Sequence, residues 1–388
     1  MAILGLRGTG SFGPEERPES WREMILWIEE ARADAPLTAL LSKLDSQDTE
    51  DPVFHWFTEQ IHEYAVTSTT AKTATDTVLD INDATLVKVG DILMNMRTNE
   101  KVRITAVNVG ANQITVTRAF GTTAAAAVNA GDKWLKIGSA YGEGTGAPTA
   151  ITFNPNMLVN YCQIFKESIY ITGTTLQTHL RTGDVLANDR SRALRRLAIS
   201  MERAFIFGEP KVATDVNGQP LRTTGGLLYF MPAGNRFDFT AGVTERAWDE
   251  MLEKVFTFGN NEKLALVGPR AMTTITRMGK NRGVINLVPT DKTYGLQLTE
   301  YVSPHGPIYL LRHPLFGKTV ELTGSILIVD PPYLVYRYLR GRDLSLIENV
   351  QQPDVDARQD LFIAECGLEA LLPQANAYVT NVTNYTGP

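Results

Sequence analysis

The stretch DVLANDRSRALRRLAISMERAFIFG, residues 184–208, decides the fold class. Leu194, Leu197, Ala198, Met201 and Phe205 recur at the i, i+3, i+4, i+7 spacing of one apolar helix face. Gly208, with Pro210 beyond it, supplies stop chemistry, so the pattern predicts a helix from about Asp184 to Phe207. No other segment carries so long a helical period.

Working outward, the sequence changes character on both sides of this helix. Upstream, residues 67–138 shift to Thr, Val, Ala and Asn. Alternating runs such as Lys101–Val107 and Gln113–Thr117 are separated by turn signals at Val89-Gly90-Asp91, Asn108-Val109-Gly110 and Gly131-Asp132. That spacing predicts a small β meander or barrel. Before it, Val53–Tyr64 is rich in aromatics and reads as an extended strand. Earlier still, Ser20-Trp21-Arg22-Glu23 forms a capping box, and Pro36 opens a short helix with Leu37, Leu40, Leu41 and Leu44.

Downstream, Thr244 caps a helix to Phe258, Lys263–Val267 is a strand, and Pro269 opens another helix, an α/β alternation. Short strands follow at Tyr294–Val302, Ile308–Leu311, Ser325–Val329 and Leu344–Ile347, then a terminal pair at Leu361–Ala364 and Asn376–Val382. With an all-β stretch upstream and mixed helices and strands downstream, the fold class is α+β.

The 388 residues exceed the roughly 250–300 at which a single core stops growing, so more than one packing unit is required. Acidic side chains outnumber basic ones by 43 to 37, which excludes nucleic-acid binding by bulk charge and leaves room only for a local basic stripe. Two cysteines, Cys162 and Cys366, cannot build a disulfide scaffold and suit a reducing compartment. The first residues lack the basic prelude and apolar core of a signal peptide, and no apolar run reaches the roughly 18 residues of a membrane span. The expectation is a soluble protein made inside the cell, with no membrane partner.

Catalytic motifs fare poorly. Gly8, Gly10 and Gly13 match the dinucleotide fingerprint, but Pro14 and a charged run follow where a helix should begin, so a nicotinamide-dependent oxidoreductase has only these glycines in its favour. Glu59 and His62 have the Glu-x-x-His form of a metal ligand pair without the second copy it needs. The five histidines are scattered, and no nucleophile elbow or phosphate loop occurs. The reading is no enzyme, no cofactor and no metal.

Two other features carry more. Arg192, Arg195 and Arg196 sit with Arg190 and Arg203 on the long helix, mostly away from its apolar stripe; a solvated face and a phosphate-contacting face both fit. Trp21, Trp27 and Trp56 fall in the first 56 residues, joined by Phe54 and Phe57, before any segment able to bury them alone. Each large aromatic buries roughly 150–250 Å², so either later parts of this chain or neighbouring copies must cover them.

Gly5-Leu6-Arg7-Gly8-Thr9-Gly10, Trp21-Arg22-Glu23-Met24-Ile25-Leu26-Trp27, Ala35-Pro36-Leu37-Thr38-Ala39-Leu40-Leu41 and Asp51-Pro52 before an aromatic strand resemble the major capsid proteins of tailed phages with the Hong Kong 97-type fold. The resemblance implies an N-terminal arm (1–52), an extended loop (53–149) carrying the all-β insertion, a peripheral domain (150–231) with the long helix as its spine, an axial domain (232–343), and a return to the peripheral domain (344–388). It implies a shell subunit that assembles with copies of itself, as hexamers and pentamers, into an icosahedral virion capsid built in the host cytoplasm. Scaffolding, portal and cement proteins are the further partners it suggests, and non-specific double-stranded DNA would lie on the inner face. The short segment before the first helix implies that any scaffold is a separate protein. An encapsulin-like nanocompartment shell is the alternative within the same fold.

Overall fold

The computed structural model describes residues 35–59, 65–151, 154–178, 183–282, 288–289 and 299–387. Asp184 acts as its position predicts: its carboxylate accepts from the amides of Leu186 (2.9 Å) and Ala187 (3.3 Å), and the spine helix runs Val185–Phe207. The helix stops at Gly208 without a left-handed cap. Gly208 has φ −61°, and glycine is needed there because a Cβ would lie 2.4 Å from the Ala204 carbonyl and 2.5 Å from that of Thr224.

The buried face also differs from the expected stripe. Ala193, Leu197, Met201, Phe205 and Ile206 face inward together with Glu202, whereas Leu194 is exposed. The polar Glu202 broke the hydrophobic pattern and shifted its apparent centre.

The chain divides into two compact units, residues 57–157 and the remainder. In the smaller, six antiparallel strands run in the order Ala65–Thr67, Lys133–Ser139, Asp91–Asn95, Lys101–Asn108, Gln113–Thr117, Val78–Asp80. A bridge between Ser68 and Ile81 joins the first strand to the last and closes a barrel, which removes the exposed edges an open sheet would present. Leu79, Leu93, Ile104, Ile114 and Trp134 fill it, and the Trp134 indole donates to the Ser68 hydroxyl at 2.8 Å. Glu100, fully buried, is held by both arms of Arg118 at 2.8 Å and by the amides of Ala119 and Ala126.

The larger unit contains two main sheets. Five strands form the first: Ser46–Thr49 runs parallel to Leu334–Leu339, which pairs antiparallel with Ala357–Ala370. That long strand also pairs with Ser345–Ile347 and Gln163–Thr172. The second is seven-stranded, ordered Arg236–Asp238, Ala377–Thr380, Ile326–Val329, Lys263–Val267, Gly306–Arg312, Thr299–Ser303, Val288–Pro289. Its central strand Lys263–Val267 is buried on both faces. Ala265 and Val267 meet the helices Glu245–Phe256 and Pro269–Arg282, while Leu264 and Leu266 join the spine-helix core.

Sheet membership cuts across two of the expected spans. Leu334–Leu339 lies within the span assigned to an axial domain, 232–343, yet belongs to the first sheet. Ala377–Thr380 lies within the expected return, 344–388, yet belongs to the second. The expected terminal pair of strands is not a pair for the same reason. Short alternating strands look alike in sequence, and only long-range pairing tells them apart.

The expected strand Leu361–Ala364 is in fact the 14-residue Ala357–Ala370. Glu365, Gly367 and Glu369 hid its second half. Arg342 and Arg337 pair with the two carboxylates, and Gly367 lets the Phe54 ring and the Tyr161 carbonyl approach where a Cβ would come within 3 Å. Phe205 closes the core between this sheet and the spine, edge-on to Phe165 (6.4 Å) and Tyr336 (6.3 Å). Replacing Phe205 by Ala is expected to lower the unfolding free energy of this unit by about 3–5 kcal/mol, measured by urea denaturation.

Candidate functional site

The surfaces that could act are those the fold leaves outward and those it uses to hold the spine helix. Trp21 and Trp27 lie outside the described residues, as do the glycines of the fingerprint and His62. Phe54, Trp56 and Phe57 stand on the strand Val53–Thr58, which pairs with Asn156–Tyr161.

Two of these three are covered by their own chain. The Trp56 indole donates to the Ala370 carbonyl at 3.1 Å and its ring meets Phe54 (6.0 Å) and Phe230 (5.3 Å). Phe54 lies over Gly367. Strand alternation turns both inward, so of the two covers the sequence left open, later parts of this chain supply theirs. Phe57 alternates outward and is 67% exposed.

The spine arginines divide in the same way. Arg190, which the sequence grouped with a solvated face, is tied down: it donates to Asp360 at 3.0 and 2.6 Å and to Glu348 at 2.6 Å. Arg358 and the Asn349 amide complete the shell around the buried Asp360 carboxylate. Arg192 pairs with Asp189 at 3.0 Å and Arg196 with Glu167, and both remain partly open to solvent. Arg195 is half-buried on the same helix. The carboxylates that hold Arg192 and Arg196 are thus within this chain.

Both cysteines are buried free thiols; burial pushes Cys366 up to about 12, which leaves it an unreactive core side chain. Among the described residues no group of three or more His, Cys, Asp or Glu side chains is placed to hold a metal ion, and no helix is long and apolar enough to cross a membrane.

Sequence reasoning missed Glu202, which turns into the core, accepts three hydrogen bonds from Leu37 and Thr38 and lies within hydrogen-bond distance of His313 Nε2. A lone carboxylate on a helix gives no signal of that kind.

Comparison with known proteins agrees with this architecture. The sequence model of the family described as SU10 major capsid protein matches residues 17–383. A curated major capsid protein of Pseudomonas phage PaMx41 is 28% identical over 375 residues, covering 90% of this chain and 88% of that protein. Among solved structures, the capsid of a native GTA particle is similar with a TM-score of 0.50 at 10% identity, covering 97% of this chain and 99% of the other, which shows the fold. The holo-SrpI encapsulin complex from Synechococcus elongatus PCC 7942 aligns over 98% of both chains at 12% identity with a TM-score of 0.48.

Burial pushes the Asp360 carboxyl upward, but Arg190, the Asn349 amide and Arg358 together hold it below its ordinary 3.8. A depressed folded-state value gives stability that is present above the unfolded value and lost as pH falls through the folded one. The urea midpoint of wild type should therefore exceed that of Asp360→Asn at about pH 6, and the gap should narrow as the pH is lowered through about 4.

Proposed function

The chain belongs to the SU10 major capsid protein family, and from that premise we propose how its parts serve the shell. It is a phage major capsid protein, a structural subunit of an icosahedral capsid with the Hong Kong 97-type fold. Family membership separates it from the encapsulin-like compartment that shares the fold, and gives no support to the oxidoreductase reading of Gly8, Gly10 and Gly13.

In our reading, copies meet as hexamers and pentamers, and residues 53–149 act as the extended loop with the closed barrel as its insertion. The observation that carries this is the separate compact unit at 57–157, entered after Trp56 and left at Leu158, with Phe57 and Met157 both exposed. Two large apolar side chains at the entrance and exit of a unit are expensive to leave in water and cheap to bury against a neighbour. Many such modest contacts sum over a closed lattice while each stays weak enough to correct errors.

The spine helix supplies the inner face in this reading. Arg192, Arg195 and Arg196, partly or largely open to solvent on that helix, place positive charge where non-specific contact with packaged double-stranded DNA would fall. Their in-chain pairs with Asp189 and Glu167 argue that any such contact is secondary to holding the helix. Portal, scaffolding and cement proteins would complete the particle, assembled in the host cytoplasm, and the subunit itself would turn over no substrate.

Phe57→Asp should leave the chain folded, with an unchanged urea midpoint, and cut the yield of closed particles by at least about tenfold on co-expression with the assembly partners. Sedimentation and negative-stain microscopy check it; a wild-type chain that stays a monomer under those conditions would refute the shell assignment of these surfaces.

A further inference from the structure

We propose that Glu202 is a latch that seats the root of the N-terminal arm, so that residues 37–49 belong to the rigid body of the subunit and the leading segment starts from a fixed origin. Glu202 is fully buried in the spine helix. One of its carboxylate oxygens accepts from the Leu37 amide at 2.9 Å and lies 2.7 Å from His313 Nε2. The other accepts from the Thr38 amide (2.6 Å) and the Thr38 hydroxyl (2.7 Å). Three stretches more than a hundred residues apart meet on one charge.

The short helix Pro36–Leu41 has no side-chain cap of its own; Ala35 occupies the cap position. Its first amides would be orphans inside the core. Glu202 supplies the missing acceptor from another element, and Pro36 presets the backbone that aims the two amides. The opposite end of this root is fastened too. Ser46–Thr49 runs parallel to Leu334–Leu339 in register Ser46↔Tyr336 to Thr49↔Leu339.

Stability alone does not call for a carboxylate here. Leu37, Leu40 and Leu41 already bury fully or nearly so, and a buried charge costs several kcal/mol of desolvation that an apolar side chain of similar volume avoids. What the charge adds is selectivity. Pro36 offers no amide and Thr38 alone adds a hydroxyl in this geometry, so a one-residue slip of the root in either direction would cost the carboxylate at least one of these bonds. His313, fully buried and stacked on Phe316 at 4.6 Å, fixes the carboxylate from the other side.

Such a device suits a subunit that must meet different neighbours with the same leading segment. That consequence rests on the shell reading above; the latch itself does not. Hydrogen exchange read by mass spectrometry on the purified full-length chain tests it, with wild type, Glu202→Met and Thr38→Val compared.

Glu202→Met strands the Leu37 and Thr38 amides, so exchange over residues 35–45 should accelerate about a hundredfold, well beyond the change over the rest of the spine-helix core, and Thr38→Val should accelerate it about fivefold. A merely stabilising role would lower the midpoint of Glu202→Met without singling out that peptide. Exchange over 35–45 that is already unprotected in wild type, or unchanged in Glu202→Met, overturns the latch. If Glu202→Met does not fold, Thr38→Val decides: a rise confined to 35–45 supports the latch and no rise overturns it. Shells that form while exchange stays unchanged would sink the latch alone, and a protected root in a chain that never forms shells would sink the shell reading alone.

Discussion

The buried Glu202 carboxylate organises the subunit. Without its partners Leu37, Thr38 and His313 it would be an uncompensated charge in a core built from Leu197, Phe205, Phe316 and Leu327. With them, the beginning of the body, the spine helix and the turn at His313 are held to a single mutual arrangement. Much of the larger unit's packing then follows from that arrangement, because the spine helix lies between the first sheet and one face of the second.

The same principle recurs at lower cost elsewhere. Asp360 gathers Arg190 and Arg358 on the first sheet, Glu100 gathers Arg118 inside the barrel, and Lys263, fully buried, is held by the Phe258 and Ala375 carbonyls and by Asp330. Burial lowers the Lys263 pKa, and Asp330 works against that fall. In each case a buried charge is made tolerable by partners from distant segments, which specifies register more than it adds stability. A subunit that must keep one shape against many neighbours gains from such specification.

Local chemistry was legible in the sequence; long-range chemistry was not. Asp184 and Thr244 announced their helices, and Lys263–Val267 read as a strand, because capping and local patterning act over a few residues. The barrel was visible as alternating runs between turns, and Gly90 and Gly131 do adopt positive φ there. What failed depended on pairing across the chain. The sequence left open what covers Trp56 because its cover, Phe230 and the Ala370 carbonyl, lies far along the sequence. The long strand was cut short at Glu365 because its arginine partners could not be seen, and Leu194 was placed inside although Glu202 shares the inward face in its stead. Of the aromatic candidates among the described residues, Phe57 faces outward while Phe54 and Trp56 are buried.

A cryo-EM reconstruction of the closed particle, resolved at each quasi-equivalent position, tests the central claim most directly. The account predicts that the Leu37–Thr38 root sits on the Glu202 of its own chain in every subunit and that Phe57, open in the single chain, is buried against a neighbour. A root seated on a neighbouring chain's carboxylate, or a Phe57 facing solvent throughout the shell, would contradict it.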